Sequence, residues 1–388
     1  MLCYNTTSKG GTYWRALQLA RGLAKRGHVV TAMFTSRDKH VRFTTRPDAQ
    51  DGVVLVESPD LTRGSLRSGW DPFNTLARLR WGHDQRFDLV HAFEARPIVI
   101  YPALAWRRRG AKLVLDWCDW FGKGGSVEER PNPAIRTVLR PVETYFEEHF
   151  RTRADGTTVI NSLLRERVMR LGVKPETIFA LPNGCDVETL RPLPQAEARR
   201  RLGWPLDVPI VGYIGALFQR DAALMAKAFD HLKQQEPRAR LLLAGCNIRV
   251  DQLVAAPQDL IHTGQLAYDQ LNPYLSACDV CWLPLCNSGA NRGRFPFKLS
   301  DYMAVGKPVV ATAVGDVVDL VQRGKFGVLC QDTPQDLAEK VMLLLRDPER
   351  CELLGQRGRE MAEREFRWEQ IADRLGEFYQ CVLQSEWN

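Results

Sequence analysis

The chain has 388 residues, 45% of them apolar and 26% charged, and carries a net charge of +7. That length predicts two domains rather than one core, and the composition is that of a soluble globular protein with no low-complexity tract. No run reaches the ~18 apolar residues of a membrane span, and the charge is uneven: residues 1–180 hold 29 Lys+Arg against 19 Asp+Glu, a net +10, while the remainder holds 24 against 27, a net −3.

Met1–Asn5 has no charged-then-apolar leader pattern, so a cytoplasmic protein is expected rather than a secreted one. It reads as a first strand with no lead-in, which points to a start slightly upstream of Met1. Strands are predicted at 2–5, 28–35, 52–57, 87–93, 112–116, 156–160 and 178–181. Helical periodicity lies between them, as at 13–25, 74–81 and 97–108. This alternation predicts a parallel sheet covered on both faces.

Three segments of this half carry polar groups at strand ends. Asn5-Thr-Thr-Ser-Lys-Gly-Gly-Thr runs from strand to helix. Gly10 and Gly11 would let backbone approach an anionic ligand, or serve only a tight turn. Leu113-Val-Leu-Asp-Trp-Cys-Asp-Trp-Phe-Gly places Asp116 and Asp119 at a strand end. One of them could hold or deprotonate an attacking hydroxyl, and one could cap the next helix. Leu181-Pro-Asn-Gly-Cys-Asp is a turn at the expected domain junction. Arg107, Arg108 and Arg109 in succession fit a solvated helix end, or attraction to an anionic membrane face or anionic acceptor. No recognition module speaks for nucleic acid.

A Pro-rich boundary at 185–207 precedes a second alternating series. Its strands are predicted at 209–214, 240–244, 260–263, 279–284, 308–312 and 327–330. Its helices are predicted at 221–235, 268–277, 298–304 and 316–322, and three more, at 335–346, 349–364 and 368–384, finish the chain. Val211-Gly-Tyr-Ile-Gly215 opens this series, and Arg220 after it could meet a diphosphate or a neighbouring acid. Asn291-Arg-Gly-Arg-Phe-Pro-Phe-Lys-Leu-Ser-Asp-Tyr-Met runs a basic loop into a helix. There Arg292, Arg294 and Lys298 suit a phosphate, and Asp301 suits a sugar hydroxyl. The ten cysteines read as free, mostly buried thiols; Cys278, Cys281 and Cys286 hint at a metal site, but Cys281 sits in an apolar strand pattern whose alternation would not converge four ligands. There is no G-x-G-x-x-G after either first strand and no Walker sequence, which counts against a dehydrogenase or a P-loop enzyme. No D-x-D occurs to bridge a metal to a diphosphate.

Taken in order at these spacings, the segments resemble family 4 of the retaining GT-B glycosyltransferases, across nearly the whole chain. The resemblance is densest from about 156 to 330, through Thr263-Gly-Gln-Leu and Tyr-Met-Ala-Val-Gly-Lys-Pro-Val-Val-Ala. It implies an α/β protein of two doubly wound Rossmann-like domains facing an interdomain cleft. Residues 1–185 would bind a hydroxyl acceptor, 186–367 a nucleotide-sugar donor, and 368–388 would return as a helix toward the first domain. Arg220 and Lys298 would neutralise the leaving diphosphate, and Asp119 would orient the acceptor. Gly10, Gly11, Asn183, Gly215, Leu266, Arg294, Leu299 and Asp301 would line the donor, with backbone near Leu266 at the base and Asp301 on the ribose. The implied reaction is a metal-independent transfer of a hexosyl-type sugar with retention. It needs no cofactor, the nucleotide sugar being a substrate, and peripheral contact with the anionic inner membrane face would suit the basic half.

Three departures stand out. The family often has two glutamates eight positions apart where this chain has Gly293 and Asp301, and no glutamate lies between Glu236 and Glu339. Members with Asp or Glu before Tyr-Met exist, so this reads as a subgroup feature. Ala216 follows Gly215 where an Arg is frequent, and the acceptor-side position often held by His falls in Asp-Trp-Cys-Asp. The alternatives are a nucleotide-sugar 2-epimerase on the same fold and a glycosyltransferase-like binding protein without catalysis.

Overall fold

The structure is a computed structural model describing residues 1–37, 42–48, 52–62, 66 and 69–384. The chain divides into two compact units. The first comprises Met1–Asn183, Gly293–Phe295 and the C-terminal segment from Trp368, and the second comprises Gly184–Arg292 and Pro296–Arg367.

The first unit is built on strands β1 (Leu2–Thr6), β2 (Thr31–Thr35), β3 (Thr44–Pro47), β4 (Val54–Ser58), β5 (Leu89–Phe93), β6 (Lys112–Trp117), β7 (Gly156–Val159) and β8 (Ile178–Ala180). They lie in the order β3-β4-β2-β1-β5-β6-β7-β8. All pairs are parallel except β3 on β4. Leu113, Val114 and Leu115 of β6 are fully buried, the continuous apolar run expected of a strand covered on both faces. Strand β3 is the one the sequence did not announce. Its four residues, Thr-Thr-Arg-Pro, are all exposed, so no alternation marks it.

The helix Trp368–Gln384 completes this first unit. Gly22 has no side chain because Ala372 stands where one would go, with Cβ atoms that would be 2.4 Å apart. Phe378 stacks on Phe179 at 5.2 Å, and the Tyr379 hydroxyl lies 2.5 Å from Nδ1 of the buried His91. Residues 385–388 of the predicted C-terminal segment lie outside the described residues.

The second unit contains β9 (Ile210–Ile214), β10 (Arg240–Ala244), β11 (Leu260–Gly264), β12 (Val280–Leu283), β13 (Val309–Thr312) and β14 (Gly327–Cys330). They form an all-parallel sheet in the order β11-β10-β9-β12-β13-β14. Every predicted strand of this half is present within a residue or two.

Each sheet reverses its winding direction once, between β1 and β5 in the first unit and between β9 and β12 in the second. Strand ends at such a reversal leave a crevice where ligands bind. The helices that follow β1 and β9 start at Gly10 and Phe218 without a side-chain cap. By contrast, Asp71, Asn161 and Thr333 cap the helices Pro72–Trp81, Ser162–Arg170 and Pro334–Leu345. The first amides of the two uncapped helices therefore remain available to an anion.

Candidate functional site

In the second unit β9 is followed by Gly215, whose φ of +79° only glycine adopts without strain, and a Cβ there would meet nothing within 4 Å. Its amide donates to Ala244 O at 2.7 Å, and the amide of Gly245 donates in turn to Gly264 O at 2.9 Å. Three neighbouring strand ends thus turn away on glycines and leave bare backbone. Leu266, half-buried, follows at the end of β11, beside Gln265, whose Nε2 donates to Gly245 O at 3.3 Å.

Arg220 stands in the first turn of the helix Gln219–Gln235, exposed and with no hydrogen-bond or ion-pair partner among the described residues. The alternative of a surface ion pair to a neighbouring acid is therefore not formed. Its neighbour Asp221 is buried and accepts from Cys286 N at 2.8 Å and Asn291 Nδ2 at 3.0 Å. That pair fixes the start of the basic segment against the helix.

Lys298 and Asp301 lie on one face of the helix Phe297–Ala304, three residues apart. The Lys298 ammonium donates to the Tyr213 hydroxyl at 2.7 Å and to Ala216 O at 3.2 Å, and lies 4.5 Å from the centre of the Tyr213 ring. It is thereby held at the turn after β9. Asp301 is buried, and its Oδ1 accepts from the Tyr268 hydroxyl at 2.8 Å. No hydrogen bond to its Oδ2 forms among the described residues. Burial raises the Asp301 pKa to about 7, against the lowering effects of Tyr268 and Lys298. Leu299 is fully buried and its amide bonds to Pro296 O at 3.1 Å, so its side chain serves packing.

In the first unit Gly10, at φ +86°, and Gly11 are exposed at the end of β1. A Cβ on Gly10 would stand 2.7 Å from Asn5 Nδ2. Asp116, which the sequence offered as a site carboxylate beside Asp119, is instead a core group. It is fully buried and bound bidentately by Arg15, at 3.0 and 3.1 Å, and by the Thr158 hydroxyl at 2.5 Å. Neither aspartate caps the next helix. Arg15 also donates to Leu181 O, Pro182 O and Asn183 Oδ1, at 2.6, 3.1 and 2.9 Å. Asn183 is therefore oriented from beneath, and its Nδ2 donates to Phe295 O at 2.8 Å.

Asp119 remains partly exposed and pairs with Arg294 Nε at 3.2 Å. Burial raises its pKa, and Arg294 opposes the rise. Arg294 is thus tied to the expected acceptor carboxylate. Gly293 is buried in the same three-residue stretch.

Glu94 was not among the expected site residues. It follows β5 at φ +69°, is buried, and accepts from both the amide and the thiol of Cys118 at 3.1 Å. Burial pushes its carboxyl up to about 8, with Arg151 as the main opposing charge. A carboxylate directly after a buried parallel strand was the available signal.

Residues 208–347 match the family model described as "Glycosyl transferases group 1", and residues 10–184 match the "Glycosyl transferase 4-like domain". The D-inositol 3-phosphate glycosyltransferase of Thermobispora bispora is 30% identical over 276 residues, which is 66% of this chain and 61% of that protein. The chain belongs to the group 1, family 4 glycosyltransferases. The GDP-mannose-dependent alpha-(1-6)-phosphatidylinositol monomannoside mannosyltransferase of Mycobacterium tuberculosis is 26% identical over 317 residues, 78% of each chain. Sucrose-phosphate synthase from Thermosynechococcus elongatus superposes with a TM-score of 0.79 over 97% of this chain and 95% of its own, at 21% identity. HepE of Anabaena, solved in complex with UDP-glucose, gives 0.71 over 98% of both chains at 16%. The fold is GT-B. In this glycosyltransferase the two tyrosines that hold Lys298 and Asp301 were in plain view in the sequence, at Val211-Gly-Tyr213 and Leu266-Ala-Tyr268. Nothing in their spacing revealed which charged group each would meet.

Proposed function

We propose that this glycosyltransferase moves a hexosyl-type sugar from a nucleotide-diphosphate sugar to an acceptor hydroxyl, with retention and without a metal. The observation that carries the reading is the helix Phe297–Ala304, which presents a fixed ammonium and a buried carboxyl three residues apart. Lys298, Arg220 and the open amides at the start of Gln219–Gln235 would take the diphosphate. Asp301 Oδ2 would accept from a ribose hydroxyl, and backbone near Leu266 would meet the base. The bond from the anomeric carbon to the phosphate oxygen breaks, and one to the acceptor oxygen forms on the same face. The acceptor proton passes to the leaving phosphate oxygen. Charge stabilisation of the departing diphosphate is the main contribution of the protein. Asp119, held by Arg294, would orient the acceptor. The absence of a D-x-D sequence, together with these cations, supports metal independence.

Names of relatives point to different nucleotides, GDP-mannose for one and UDP-glucose for another. A thermal-shift screen with UDP-, GDP-, ADP- and dTDP-sugars, followed by NMR of the anomer formed, tests donor and stereochemistry together. Inversion at the anomeric carbon would overturn retention. Binding with no donor hydrolysis, transfer or epimerisation would leave a binding protein.

The Asp301 carboxyl gives a pH signature. Ribose hydroxyls donate to the ionised form, and with a pKa of about 7 in the free protein the carboxyl must lose a proton on binding below that pH. Calorimetry is expected to show nucleoside diphosphate binding tightening from about pH 6 to about pH 8, by at most about tenfold per unit. In Asp301→Asn the part of this slope not due to the phosphate itself should vanish. An unchanged slope would remove Asp301 from the ribose.

A further inference from the structure

The helix Pro133–Glu148 is turned inside out. Its buried residues are Glu143 and Glu147, while Ile135, Val138, Val142 and Tyr145 are exposed, Val138 at 66% and Tyr145 at 49%. These four recur at spacings of three, four and three, a single stripe. A helix normally buries such a stripe.

The inward polar face has a definite task. Glu147 accepts from Trp117 Nε1 at 2.9 Å and from the amides of Phe121 and Gly122, both at 2.7 Å. The Thr144 hydroxyl accepts from Lys123 N at 2.8 Å. Arg140 pairs with Glu128 at 2.6 Å, and Glu128 accepts from Gly124 N at 3.2 Å. The polar side of the helix is thus spent on shaping the Gly-rich loop that carries Asp119, and the apolar side is left facing outward.

We propose that this outward stripe is a docking surface for an anionic phospholipid bilayer. No exposed residue of the helix is a carboxylate: they are Ala134, Ile135, Thr137, Val138, Pro141, Val142 and Tyr145, besides Pro133 at its start. The stripe continues onto the helix Pro97–Arg107. There the exposed Tyr101 contacts Phe146, centroids 6.1 Å apart, and Phe146 contacts Tyr145 at 5.4 Å. Seven residues after Tyr101, on the same side, Arg108 is exposed and has no partner among the described residues. Residues 1–180 carry the net +10. An apolar stripe with aromatic residues, bordered by arginine and free of acid, fits the interface of a negatively charged leaflet. A protein partner or a second copy would not call for that charge. No described helix is long and apolar enough to cross a membrane, so the contact is peripheral. This inference does not depend on the donor reading.

The test is flotation of the full chain with phosphatidylcholine vesicles made with and without phosphatidylglycerol. Binding is expected only with the anionic lipid, and it should weaken as salt is raised. Val138→Glu combined with Val142→Glu should lower the bound fraction about tenfold or more, because two exposed apolar contacts are lost and like charge is added. The melting temperature and donor hydrolysis in solution should be unchanged. Val138→Leu is the conservative control and should bind as the parent does. Failure of the parent to bind, or equal binding by the double variant, would refute the docking surface. So would a dimer in sedimentation that the same two substitutions dissolve, since the stripe would then be covered by a second copy. Each of these outcomes leaves the nucleotide-binding measurements standing.

Discussion

Replacing Lys298 with Ala is expected to lower kcat by roughly 10²–10³-fold, the loss typical of removing one group aimed at charge that develops in the transition state. The ammonium is not a loose surface charge. The Tyr213 hydroxyl and Ala216 O fix it, so it needs little reorganisation when a diphosphate departs. Its removal should leave the fold intact, because Tyr213 still donates to Ala216 O at 2.8 Å. Arg220→Ala should cost less, about tenfold, since its exposed guanidinium acts through solvent-screened charge. Steady-state kinetics read beside the melting temperature separates the two effects. Near-normal turnover and donor affinity in both variants would defeat the phosphate assignment.

The largest effect on stability is expected at Arg15. Arg15→Ala would leave the Asp116 carboxylate buried and unpaired, and would strip the Leu181, Pro182 and Asn183 acceptors of their donor. Breaking a buried pair in this way costs about 3–5 kcal/mol. Removing both charges with Asp116→Ala should recover part of that loss, and a denaturant double-mutant cycle would measure the coupling. The sign with pH follows from Asp116. Burial disfavours its charge, yet Arg15 and the Thr158 hydroxyl outweigh burial and hold its pKa below the ordinary aspartate value. Its contribution is therefore present above the unfolded-state pKa of about 4 and lost as pH falls through the lower folded value. Arg15→Ala should be the less stable protein at neutral pH and should lose less on acidification. Equal acid sensitivity in parent and variant would argue against the pair as its source.

The parallel strands were legible because two-sided burial writes continuous apolar runs into the sequence. The order Lys298, then Asp301, on a helix entry was legible for the same kind of reason, since spacing along one helix fixes which residues share a face. Long-range polar pairing was not. Asp116 and Asp119 look alike at the end of one strand, and only Arg15, 101 residues away, separates a core anion from a reachable one. Arg294 read as a spare cation for the donor, and nothing in the sequence tied it to Asp119, 175 residues distant, with which it pairs. The helix Pro133–Glu148 has a regular apolar period. Period alone, however, does not say which face turns inward, and here Glu147 decides it by satisfying two loop amides and an indole.

The helix Trp368–Gln384 has a consequence for synthesis. The first unit draws on segments that precede the second unit and on one that follows it, so its hydrophobic surface around Gly22, His91 and Phe179 has no permanent cover until residues 368–384 have been made. The second unit has all of its strands much sooner. Domains usually mature from the N-terminus as they emerge. This order is reversed here: the later-made unit closes first, and a ribosome stalled near codon 367 would release a chain with its second half built and its first half unsealed.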